Sequence, residues 1–354
     1  MNTFTHIHSD PDVYSIPVPF PNYATSETNC YLIQQDGETL VVDVGAPSAV
    51  GRTMLEGALH DLKADPQHTS FFLTHFHMDH VGLLDEVANP SQTVYLSHVD
   101  FGRMQRSLYD PWVDQLYKRM LSEGCPAHYR SIIAETRQAD RFDADIHMLS
   151  FVGEGDSIAV GSATFDVFEV GGHTPGHLAL LHRPSGMLFS GDHVLFVISP
   201  GVDLQPDRTD SMETYLQSLE KVRNLPYRQL LHSHGPLCNN VEERIDWLAH
   251  HHVQRAASAL SVIEATPGLS GEELTRLLSW NVPHKTWDDI APAQQRYISG
   301  EGIVILDYLC GLGDIKRTAD DMGINRYYAQ RAGADSRIAA LLAQASQRLE
   351  NTKA

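Results

Sequence analysis

His75-Phe76-His77-Met78-Asp79-His80 places three imidazoles and a carboxylate within six consecutive positions. The apolar run Phe71-Phe72-Leu73 before it reads as a buried strand, and Val81-Gly82-Leu83-Leu84 after it reads as the opening of a helix. Four metal-binding side chains are thus expected at the C-terminal end of a strand, where α/β folds build their sites. Neutral imidazole and carboxylate are zinc ligands, and a set without thiolates suits a catalytic centre better than a structural one. Whether this is a polar loop or a metal loop turns on what the other strand ends carry.

Further ligand types arrive downstream in the same setting. His173 lies in Gly171-Gly172-His173-Thr174-Pro175-Gly176-His177, directly after the strand-like run 164–170. Asp192 follows Met187-Leu188-Phe189 within Ser190-Gly191-Asp192-His193, and His234 follows Gln229-Leu230-Leu231 within His232-Ser233-His234-Gly235-Pro236. Each apolar run ends in a ligand and a glycine, which lets the backbone turn sharply and approach an ion closely.

These motifs resemble the metallo-β-lactamase superfamily, and Gly172-His173-Thr174-Pro175-Gly176-His177 is most similar to its hydroxyacylglutathione hydrolase and thioesterase branch. The resemblance covers about the first 240 residues and includes Thr28-Asn29-Cys30-Tyr31-Leu32-Ile33 and Val41-Val42-Asp43-Val44-Gly45. It implies an α/β fold, an αββα sandwich, and two divalent metal ions. Zinc is the default, and iron or manganese suits the same ligands. By the same resemblance His75, His77 and His173 hold one ion, Asp79, His80 and His234 hold the other, and Asp192 bridges them. Asp43 and His177 would support the ligand imidazoles from behind. Asp43 also reads as a turn residue at a strand end, and His177 as a residue packed behind the loop.

Two ions about 3.5–4 Å apart lower the pKa of water to near 7 and polarise a carbonyl. The resemblance to the thioesterase branch then implies metal-dependent hydrolysis of a thioester or other activated ester, with Asp79 and Asp192 as the catalytic carboxylates. Position 77 is His, not the Glu of flavodiiron oxygen reductases; position 192 is Asp, not the Cys of many zinc β-lactamases. A lactonase, a phosphodiesterase, an endoribonuclease and a regulatory protein retaining its metal site are the alternatives. The motif binds metal and does not read the substrate.

The 354 residues suffice for one large domain and a smaller one, and 42% hydrophobic content supports a packed core. No apolar run reaches membrane-span length, and Met1-Asn2-Thr3-Phe4-Thr5-His6 lacks the regions of a signal peptide. Four scattered cysteines, 30, 125, 238 and 310, suit a reduced, cytoplasmic protein. The formal net charge of −19, with 26 Lys and Arg against 45 Asp and Glu, argues against nucleic-acid binding. A small-molecule substrate and a homodimer fit better. His250-His251-His252 falls in a helical pattern, where consecutive side chains diverge and cannot share an ion, so packing or solvation is expected.

Strands are expected at 30–34, 39–44, 70–74 and 93–97, then at 146–152, 157–160, 164–170, 178–182, 187–190, 194–198 and 229–232. Helices are expected at 48–62, capped by Ser48, at 81–87 and at 210–223. Residues 101–145 read as a helical insertion, with an Asp110-Pro111 start and a second helix at 127–139. Its aromatics Tyr109, Trp112, Tyr117 and Tyr129 either wall the metal site or pack within their own unit. Beyond residue 240 the pattern is helical: 241–265 capped by Asn240 with Glu243, a Ser270/Glu273 capping pattern, then 292–309 and 326–349. Residues 241–354 thus form a C-terminal domain resembling the winged-helix-like extension of many superfamily hydrolases, distinct from a catalytic domain of 1–240.

Overall fold

The structure is a computed structural model that describes residues 4–20, 25–107, 109–139, 141–282 and 286–353; Met1, Asn2 and Thr3 of the N-terminal reading lie outside them. Two large sheets dominate. One contains β1 (Thr5–Ser9), β2 (Asp12–Pro19), β3 (Glu27–Gln35), β4 (Glu38–Val42), β5 (Thr69–Phe72), β6 (Thr93–Ser97) and β7 (Met148–Val152), ordered as in the chain. It is antiparallel through β4 and parallel from β4 to β7. The other contains β8 (Ser157–Val160), β9 (Ala163–Glu169), β10 (Leu178–His182), β11 (Met187–Gly191) and β12 (Gln229–His232) in the order β12-β11-β10-β9-β8. Only β11–β12 is parallel within it.

Period-two alternation divides the strand side chains between two cores. On β3, Tyr31 and Ile33 join Phe72, Phe165, Leu180 and Phe189 in a core made from both sheets. Cys30 and Leu32 point the other way, into a core shared with Leu55 and Ala58 of helix α1 (Ala49–Asp61). That second core also takes Val81 of α2 (Met78–Val81), Leu84 of α3 (Leu84–Val87) and Met104 of α4 (His98–Ser107). Fully burying one such side chain contributes roughly 1.5–3 kcal/mol. β9, β11 and β12 run parallel to one another, so their C-terminal ends share one edge. The C-terminal ends of β4 and β5 likewise share an edge of the first sheet.

The chain divides into two compact units. The unit above comprises Met1–Arg106, Arg137–Pro200 and Asn224–Asn239; the second comprises Ser107–Thr136, Gly201–Arg223 and Asn240–Ala354. The division therefore differs from a single break at 240. The insertion helices α5 (Asp110–Ser122) and most of α6 (Tyr129–Ala139), together with α7 (Ser211–Arg223), go with the C-terminal helices. Those are α8 (Val241–Ala265), α9 (Gly271–Leu277), α10 (Pro292–Leu312) and α11 (Arg337–Lys353). The cause is specific bonding: Arg119 of α5 pairs with Asp307 of α10 and donates to the carbonyls of Gln205 and Arg208. Tyr129 is fully buried, its hydroxyl 3.4 Å from Ser299 Oγ, so this aromatic packs in its own unit.

Several local expectations fail for identifiable reasons. The helix read from 326 starts at Arg337; Asn325–Ala329 is instead strand β14, paired with β13 (Ile315–Ala319). The Asp320 carboxylate accepts from the amides of Met322 and Ile324 and builds the hairpin turn between them. Residues 194–198 are an apolar run but not a strand. β1 and β2 lie outside the expected strands; Pro17 and Pro19, unusual in a strand, lie in the part of β2 beyond its pairing with β1, at an open edge. Asn240 makes no capping bond to the backbone, and α5 is preceded by Tyr109 as its cap residue, so Asp110 is already helical. His252 is fully buried and His251 stacks on Trp247, which makes the triple histidine a packing feature.

The capping box that Ser270 and Glu273 form at α9 is complete: Ser270 Oγ accepts from the Glu273 amide, and Glu273 returns a bond to the Ser270 amide. Ser270→Ala should destabilise the second unit by about 1 kcal/mol. Trp112, Trp247, Trp280 and Trp287 all lie in that unit, so fluorescence-detected urea unfolding will read the shift.

Candidate metal centre

The site assembles where the strand ends meet. His75 and His77 follow β5, Asp79 and His80 sit on α2, His173 follows β9, Asp192 follows β11, and His234 follows β12. All seven come together. Three groups of ligand atoms each lie within 4.8 Å of one another: His75 with His77 and His173, His75 with His80 and Asp192, and Asp79 with His80 and His234. Nε2 of His75 and Nε2 of His173 stand 3.0 and 3.1 Å from His77 Nδ1. Asp192 spans the cluster: one oxygen is 3.4 Å from His80 Nε2 and 3.3 Å from His234 Nε2, and the other is 3.7 Å from His173 Nε2.

Each imidazole is aimed by what holds its other nitrogen or its face. Asp43 Oδ2 accepts from His80 Nδ1 at 2.8 Å, turning His80 Nε2 toward Asp192 and Asp79. The same carboxylate accepts from the Thr74 amide and hydroxyl, and that hydroxyl also lies 3.0 Å from His75 Nδ1. Asp43 itself has φ +58°, a left-handed conformation uncommon outside glycine and typical of backbone held at a functional site. His177 stacks on His75, with centroids 4.7 Å apart, and its Nε2 accepts from the Asp192 amide at 3.1 Å. Gly191, at φ +53°, is required there: a Cβ would come within 2.7 Å of the His177 ring.

The start of β3 supplies residues whose roles the sequence reading missed. Thr28 Oγ1 donates to the Asp79 carbonyl, and the Glu27 carbonyl accepts from His234 Nδ1 at 2.7 Å. Asn29 Nδ2 donates to the carbonyls of His232 and Gly235, and the Tyr31 hydroxyl donates to His232 as well. A run of polar residues opening an otherwise apolar strand was the available signal.

Electrostatics divide the cluster in two. Burial, reinforced by neighbouring imidazoles, pushes His75 well below the usual histidine range and His77 down to about 3, so both are neutral at pH 7. Burial also opposes charge on His80 and His234, but the carboxylates outweigh it: Asp43, Asp192 and Asp79 raise His80, and Asp192 and Asp79 raise His234 to about 10. The carboxylates respond in kind. Burial resists their ionisation, yet the imidazoles hold Asp79 down to about 2 and Asp192 well below its usual range.

The donor set fits divalent metal. His80 Nε2 and Asp192 Oδ1 are fully buried with no hydrogen bond satisfied, while facing each other across 3.4 Å. Neutral imidazoles with converging lone pairs, beside carboxylates, are what a divalent cation requires. Without metal, a proton on His234 occupies part of that role. Its folded pKa of about 10 exceeds the free value of 6.5, so its stabilising contribution is complete below pH 6.5 and fades as pH rises through 10. Metal binding at pH 8 should therefore release at least one proton. Calorimetry in buffers of different ionisation enthalpy measures it; a release of zero would show that His234 is not a ligand or is already neutral.

The model of the metallo-beta-lactamase superfamily matches residues 25–234, more than half the chain. A beta-lactamase-like protein 2 homolog of Caenorhabditis elegans is 24% identical over 250 residues, 70% of this chain and 69% of that protein. A hydroxyacylglutathione hydrolase of Salmonella enteritidis is 30% identical over 241 residues, 67% of this chain and 70% of that one. An atrochrysone carboxyl ACP thioesterase of Aspergillus fumigatus is 24% identical over 223 residues; the chain spans only 54% of its length. Among solved structures, a metallo-beta-lactamase family protein of Thermus thermophilus superposes with a TM-score of 0.72 at 24% identity, over 90% of this chain and 98% of that one. The shared fold is α/β with a helical C-terminal region, and the chain belongs to the metallo-beta-lactamase superfamily.

Proposed function

We propose that this superfamily hydrolase is a dinuclear enzyme that cleaves a thioester or comparably activated ester. The observation that carries the proposal is the reach of Asp192, whose two oxygens face different ligand groups within one buried cluster. His75, His77 and His173 would hold one divalent ion, and Asp79, His80 and His234 the other. Two such ions supply an activated water near neutral pH and a Lewis acid for the carbonyl oxygen. Zinc is the default, with iron and manganese compatible with the same donors.

The chain's own residues do the rest. Asp192 sets the spacing of the two ligand groups. Asp79 is the more open carboxylate, its side chain 24% exposed, and it can orient a water and take its proton. Asp43 and His177 hold His80, His75 and the Asp192 backbone in place, so little reorganisation accompanies reaction. Support for a thioester comes from two relatives, a hydroxyacylglutathione hydrolase and an ACP thioesterase. Four free cysteines fit a cytoplasmic setting, and no described helix is long and apolar enough to cross a membrane.

Protein freed of metal and titrated with zinc, manganese or ferrous iron should bind two equivalents. It should then hydrolyse acyl-CoA or acyl-glutathione thioesters in a metal-dependent way, ahead of lactones, bis-p-nitrophenyl phosphate and RNA. A stoichiometry fixed at one refutes the dinuclear centre, and preferential phosphodiester or RNA cleavage refutes the thioesterase reading.

Asp192→Ala should bring turnover to background and weaken both ions, because two cations then stand close together without their shared anion. Circular dichroism should show the fold retained. Turnover near that of the parent protein would remove Asp192 from the centre.

A further inference from the structure

His173 reaches the cluster from the eight-residue connection between β9 and β10, residues 170–177, yet no strand pairing holds its tip. What holds it is helix α4. Asp100, in the first turn of that helix, is 3% exposed. Its Oδ2 accepts from Thr174 Oγ1 at 2.7 Å and its Oδ1 accepts from the Gly176 amide at 2.6 Å. Both carboxylate oxygens are thus committed to the His173 connection, one on the residue after the ligand and one two residues further on. Charge-assisted bonds of this kind are roughly twice as strong as neutral ones.

The fit is close. A Cβ at position 176 would lie 2.3 Å from Ser97 Oγ and 2.6 Å from the Asp100 amide, so only glycine lets this backbone lie against the helix start. Ser97 Oγ is occupied in turn, accepting from the amides of Val99 and Asp100, which anchors that first turn. One helical turn on, the Arg103 guanidinium lies 5.7 Å from the centroid of the Phe76 ring, and Phe76 stands between His75 and His77. The same helix therefore touches both stretches of chain that carry the three-histidine group. Asp79 and His234 are held from the start of β3.

We propose that Asp100 is a positioning residue for the His75/His77/His173 ion, acting through Thr174 and Gly176 on the placement of His173. This rests on the dinuclear reading above. Loss of Asp100 then weakens one ion and leaves the Asp79/His80/His234 ion as it was. Partners behind metal ligands typically account for about 10–100-fold in affinity.

The test uses full-length protein stripped of metal and titrated with zinc against a chromophoric chelator, with cobalt(II) absorption as a spectroscopic report of coordination. Asp100→Asn keeps the side-chain shape but turns an amide NH2 toward one of the two donors. It should weaken one ion about 10–100-fold, alter its cobalt bands, and leave the other ion unchanged. Thr174→Val, which removes one of the two bonds, should weaken the same ion by less, and Thr174→Ser should restore it. If Asp100→Asn does not fold, the Thr174 pair decides the question alone. Parental affinity for both ions in the folded variants, equal loss of both, or failure of Thr174→Ser to restore binding each overturns the proposal. A parent protein that binds one ion refutes the dinuclear reading; Asp100→Asn must then weaken that ion, and indifference overturns the positioning role separately.

Discussion

The Asp43 carboxylate joins the end of one strand to the metal loop that follows the next. β4 and β5 run parallel, and their C-terminal ends are adjacent but not directly linked by covalent structure. Asp43 closes that gap with three acceptor bonds, two to Thr74 and one to His80. The geometry needs a left-handed backbone at a residue with a side chain, at an expected cost of about 1–3 kcal/mol. That strain is offset by the bonds the buried carboxylate accepts from Thr74 and His80. From His80 the order propagates to Asp192 and His234, whose nitrogens and oxygens then stand within 3.4 Å of one another.

A cluster this dense has an electrostatic problem. Five imidazoles and two carboxylates are crowded together, five of these groups buried and His77 and Asp79 partly so. The molecule resolves it by separating neutral from charged groups. His75 and His77 stay neutral, as three converging nitrogen ligands require. His80 and His234 share charge with Asp79 and Asp192. The two halves thus offer an incoming cation different terms, neutral imidazoles at His75 and His77 on one side and a proton exchange at His234 on the other.

Support for the ligands is divided in the same way. β3 steadies Asp79 and His234 through backbone carbonyls and the Thr28 and Asn29 side chains. α4 steadies the His173 connection through Asp100. These supports come from rigid elements on either side of the cluster, and ligand placement does not depend on loops alone.

The candidate ligands could be read in the sequence because His75 opens its cluster just after an apolar run, and His173, Asp192 and His234 each lie beside a glycine at the end of a strand-like run, where the backbone must turn at once. The two-sheet architecture came from the family resemblance, since the order of strands and helices by itself says only mixed α/β. What stayed hidden was non-local. No spacing rule tells that Asp100 binds a turn 74 residues away, or that Thr28 reaches the carbonyl of Asp79. Which edge of β2 is open at Pro17 is shown only by the pairing pattern. The insertion helices joined the C-terminal unit through Arg119 and Asp307, a pair 188 residues apart. Sequence by itself determined which atoms could bind metal. Only the tertiary structure decided which buried hydrogen bonds aim them, because those bonds form between strand ends and helix starts that the fold, not the chain order, makes neighbours.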